Sequence, residues 1–111
     1  MNQAPDQGQY GVVLVTASSQ TEAETIAESL VQSGLAACVN LFPVRSIYTW
    51  KGVVERSEEW QLLIKTTQDQ FESLAKQVRT LHSYEVPEII LLPIVSGSEP
   101  YLRWISEQTH R

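Results

Sequence analysis

Residues 36–65, AACVNLFPVRSIYTWKGVVERSEEWQLLIK, decide the fold, because two long extended segments meet there at a single Lys51-Gly52 step. Between Ser46 and Trp50, Ile47 and Thr49 fall on one face and Tyr48 and Trp50 on the other. Trp60, Leu62 and Ile64 alternate with Gln61, Leu63 and Lys65, which is the period of two of a strand. The stretch is read as an outsized β-hairpin. Pro43 cannot donate to a ladder and so marks an edge or a bend in the first arm. An arm of about fourteen residues at roughly 3.3 Å per residue spans about 45 Å, well beyond the usual strand of about five or six residues. Its tip should overhang the rest of the domain. An overhanging ribbon that carries Tyr48, Trp50 and Trp60 is a template for another chain, and pairing with another copy is the expected remedy.

Upstream of the hairpin, Val12-Val13-Leu14-Val15 is apolar on both faces and reads as a central strand. Ser19-Gln20-Thr21-Glu22 matches a capping box, and Ala23, Ile26, Ala27, Leu30 and Val31 follow at helical spacing until Gly34 stops the helix. Downstream, Thr67 and Gln70 suggest a second box ahead of Phe71, Leu74, Ala75, Val78 and Leu81. Glu88–Val95 reads as a fourth strand of buried, central character broken by Pro93. Ser98-Glu99-Pro100 then opens a short helix through Tyr101, Leu102, Trp104 and Ile105.

The order β-α-β-β-α-β plus a C-terminal helix predicts an α+β, ferredoxin-like (split βαβ) domain with two helices on one face of a four-stranded antiparallel sheet. Strands that are apolar at consecutive positions want burial on both faces, whereas two helices cover one. Oligomerisation would bury the other, and a closed ring terminates where a filament does not. Residues 1–9, MNQAPDQGQ, are expected to be a disordered N-terminal tail, and 10–111 a single domain.

A net charge of −5 with no basic stripe argues against a nucleic-acid partner. No apolar run approaches the roughly twenty residues of a membrane span. With one cysteine and no basic or apolar leader at residues 1–9, the expected location is cytoplasmic. No G-x-S-x-G, HExxH or phosphate-cradling glycine loop is present, so no enzyme activity is expected. An acylphosphatase would need an arginine-bearing loop after the first strand, where Thr16-Ala17-Ser18-Ser19 stands instead.

Ala36-Ala37-Cys38-Val39-Asn40, Pro43, Ser46–Gly52, Glu59, Ile64-Lys65-Thr66, His82-Ser83-Tyr84-Glu85-Val86-Pro87-Glu88 and Tyr101–Ile105 resemble, in order and spacing, the CutA divalent-cation tolerance family. The resemblance runs from about Val12 to Ile105. It implies a homotrimer of ferredoxin-like subunits, similar in plan to PII signalling proteins, with hairpins exchanging edges and clefts between subunits. It also implies a response to metal ions. Val15 and Gln77 stand where some members that resemble metal binders carry further cysteines. Soft Cu(I) prefers two or more sulfur ligands, and this chain offers Cys38 and Met1. No cofactor is obligatory, and copper or another divalent cation is expected to bind weakly at inter-subunit clefts.

Cys38 and His82 are the candidate metal ligands, since thiolate and imidazole suit transition metals. The bland readings are a buried thiol and an imidazole interacting with a helix C-terminus. Lys65, Tyr84, Glu88 and Trp50 are the candidates for a ligand-binding cleft, with Lys65 as an anion contact. Glu59 is weighed beside them. Interface ion pairs and aromatic packing are the alternatives. A rival function is a PII-like regulatory module that binds a small anionic metabolite and signals to a protein partner.

Overall fold

The computed structural model describes residues 9–109. The tail expected at 1–9 lies outside these except for Gln9, as does Met1. Seven main elements follow in order: β1 (Tyr10–Ala17), α1 (Gln20–Gln32), β2 (Cys38–Trp50), β3 (Val53–Thr67), α2 (Phe71–Leu81), β4 (Ile90–Pro93) and α3 (Glu99–Gln108). The strands form one antiparallel sheet in the order β2-β3-β1-β4.

The hairpin is as long as its pattern requires. Its arms run 13 and 15 residues, and the molecule is 52 Å in its longest dimension. Lys51 and Gly52 both have positive φ, 52° and 81°, the signature of a two-residue type I′ turn whose twist suits paired strands. β1 supports β3 only from Thr67 to Trp60. Beyond that rung the ribbon is two strands wide, and Ile47, Val53 and Val54 are 64%, 56% and 65% exposed. Pro43 sits on β2, an edge strand, where its missing donor is tolerated.

One face of the sheet carries the core. Val13, Val15, Ala17, Leu62 and Ile64 pack against Ala23, Ile26, Ala27 and Leu30 of α1 and against Leu74 and Val78 of α2. Burying each of the valine, leucine and isoleucine side chains among them contributes about 1.5–3 kcal/mol. α1 begins as its capping residue dictates, with Ser19 Oγ accepting from the Glu22 N–H at 3.1 Å. It ends in a Schellman turn, in which Leu35 N–H reaches the Leu30 carbonyl and Gly34 N–H the Val31 carbonyl.

α2 does not open as expected. Thr67 makes no capping bond to the backbone. Its hydroxyl donates to Asp69 instead, and a single 3₁₀ turn, Gln68–Gln70, precedes the helix. β4 is shorter than the apolar run and is an edge strand rather than a central one, paired only with β1. Its Ile90 and Leu92 are therefore 47% and 45% exposed on the face opposite the helices. α3 covers one end of that face, burying Leu102 and Ile105 against Tyr10 and Ala37.

Candidate functional site

A groove of about 670 Å³ opens at the other end of this second face, between the ribbon and the segment that joins α2 to β4. Strand alternation turns Thr16, Glu59, Gln61, Tyr48 and Trp50 to one side, because Thr16 pairs with Gln61 and Tyr48 with Glu55. Ser83–Val86 and Glu88 form the opposite wall.

That wall is fastened to the sheet by His82, whose side chain is fully buried. The Tyr84 backbone N–H donates to Nδ1 at 3.0 Å, so Nε2 carries the proton and donates to the Thr16 carbonyl at 2.6 Å. Glu22, reaching over from α1, accepts from the Ser83 N–H at 2.7 Å and from the Ser18 N–H and hydroxyl at 2.9 and 2.8 Å. Desolvation raises the Glu22 carboxyl, but the hydrogen bonds from Ser18 and Ser83 outweigh it and hold it at about 2. Further into the groove the Tyr84 hydroxyl donates to Glu59 Oε2 at 2.5 Å. Burial, and then this carboxylate, push the Tyr84 hydroxyl well above the ordinary phenol range. Glu88 accepts from Gln61 Nε2 at 3.2 Å.

The structure thus brings Trp50, Tyr84 and Glu88 together in the lining, sets His82 directly behind Tyr84 with ring centroids 4.8 Å apart, and leaves Lys65 and Cys38 elsewhere. Lys65 pairs across the sheet with Cys38, four residues along β3 from Gln61, and its ammonium is held by Asn40 Oδ1. At about 3.3 Å per residue that is some 13 Å from the groove's Gln61. Cys38 is half-buried there beside Tyr101, whose hydroxyl is pushed up by burial and then by the neighbouring thiol. His82, at the far end, has both nitrogens engaged with backbone groups. The donors do not fit a metal ion within one subunit, and among the described residues no three His, Cys, Asp or Glu side chains are grouped to hold one. The second bland reading is also replaced, since the imidazole serves the β1 carbonyl rather than the end of its own helix.

Glu59, in the groove's lining, and Glu22, which ties its outer wall from behind, are the further acids the structure adds. Alternation could place Glu59 on the same side as Gln61. Nothing local to α1 signals that Glu22 reaches a loop some sixty positions later.

The family model for the CutA1 divalent ion tolerance protein matches residues 11–108. The chain belongs to that family. It is 50% identical over 99 residues to the divalent-cation tolerance protein CutA of Thermus thermophilus, covering 88% of this chain and 96% of that one. Protein CutA of Arabidopsis thaliana, described as chloroplastic, is 44% identical, but the match spans just over half (54%) of its length. Among solved structures, the periplasmic divalent cation tolerance protein CutA of Archaeoglobus fulgidus superposes with a TM-score of 0.90 at 38% identity. That alignment covers 91% of this chain and 99% of the other. The shared α+β architecture therefore extends over nearly the whole CutA domain described above. Among the described residues no helix is long and apolar enough to cross a membrane.

Proposed function

We propose that this CutA-family chain works as a non-catalytic homotrimer of ferredoxin-like subunits in the response to divalent metal ions. The ribbon beyond Trp60 carries the reading: it exposes apolar side chains that no described residue of its own chain covers. The sheet order, with β3 between β1 and β2 and two helices on one face, supports the split βαβ assignment. Two free sheet edges, at β2 and β4, give each copy a donor and an acceptor surface, the arrangement from which a cyclic assembly closes. The metal response rests on the names of the relatives. Copper or another divalent cation binds weakly in this reading, through donors from more than one copy, because Cys38 and His82 lie apart. The unpaired Cys38 favours the cytoplasm. An anion-sensing module gains no support from the groove, whose lining contains no Lys, Arg or His.

Native mass spectrometry of the purified protein, with Cu(II) raised against a weak competing chelator, tests both parts. The expected spectrum is a trimer that takes up copper only at high free metal. A monomer would overturn the assembly, and tight uptake of one copper per subunit would overturn the weak shared site.

A further inference from the structure

We draw no further inference here: the strongest candidate, the cluster of Cys38, Tyr101 and Lys65 at the α3 end of the second sheet face, is a lone cysteine whose lysine neighbour is already held by Asn40, and among the described residues no unpartnered buried polar side chain points to a ligand there.

Discussion

His82 Nε2 donates to the Thr16 carbonyl at 2.6 Å, so the residue that follows α2 is tied to the penultimate residue of β1. Its other nitrogen accepts the Tyr84 N–H, and the pair of bonds holds the groove's outer wall against the sheet. His82→Ala would leave two backbone groups unpaired, at about 1–3 kcal/mol for each that stays dry. The urea midpoint of the metal-free protein is expected to fall by the equivalent of about 2 kcal/mol. An imidazole kept only to ligate metal would leave that midpoint unmoved.

Glu22 makes the same wall sensitive to acid. Its carboxyl sits at about 2 in the folded chain against an ordinary 4.5, so folding favours the ionised form. The stability it contributes is complete above about pH 4.5 and is lost as pH falls from there towards 2. The shift is worth at most about 3.5 kcal/mol at roughly 1.4 per unit, and partial solvation reduces it to roughly 1–2 kcal/mol. Glu22→Gln is expected to lower stability at pH 7 by that amount and to flatten the pH 2–4.5 part of the acid-unfolding curve, followed by circular dichroism.

Gly11 sets how closely β4 approaches β1. A Cβ there would stand 2.6 Å from Leu91 Cδ1 and 3.0 Å from the Leu92 carbonyl oxygen. The leucine methyl can turn aside, but the carbonyl is ladder backbone opposite the Gly11–Pro93 rung. Gly11→Ala should cost about 1–3 kcal/mol in chemical denaturation.

At the ribbon tip the strain is purely conformational. Gly52 has φ of 81° and open space where a Cβ would go. Gly52→Ala is expected to cost about 1 kcal/mol, equivalent to about fivefold faster amide exchange in the Tyr48 to Glu55 rungs. Lys51→Asn, better suited to a positive φ, should slow the same exchange.

Much of this architecture is legible in the residues themselves. The Lys51-Gly52 turn, the alternation around Trp60 and the helical stripes of α1 and α2 are local signals that tertiary contacts reinforce. Where the sequence misleads, competition between elements is the cause. Ile89–Leu92 looks central because it is apolar on both sides, yet β4 lies at the edge and its second face stays open. Thr67 looks like a cap but is still paired with Tyr10 in the sheet. Of the expected cleft residues, Trp50, Tyr84 and Glu88 meet because Trp50 shares the strand face of Glu59 and Gln61 and the segment after α2 lines the other side of the same groove. Lys65 has the same strand parity as Gln61 but lies four positions too far along it. Parity is readable from sequence, whereas distance along a long strand to a feature contributed by another element is not.

The strand order also fixes a sequence of events in time. The sheet neighbours of β1 are β3 and β4, both later in the chain. During synthesis Val12–Val15 emerges first and waits without a ladder partner until residues 60–67 have followed it. The hairpin closes across two residues, whereas the Ala17–Trp60 rung closes a loop of some forty, a far larger entropic step. The β3 arm of the ribbon is thus the template on which the oldest strand is finally registered, whereas a slip at Lys51-Gly52 would displace β2 along the length of β3.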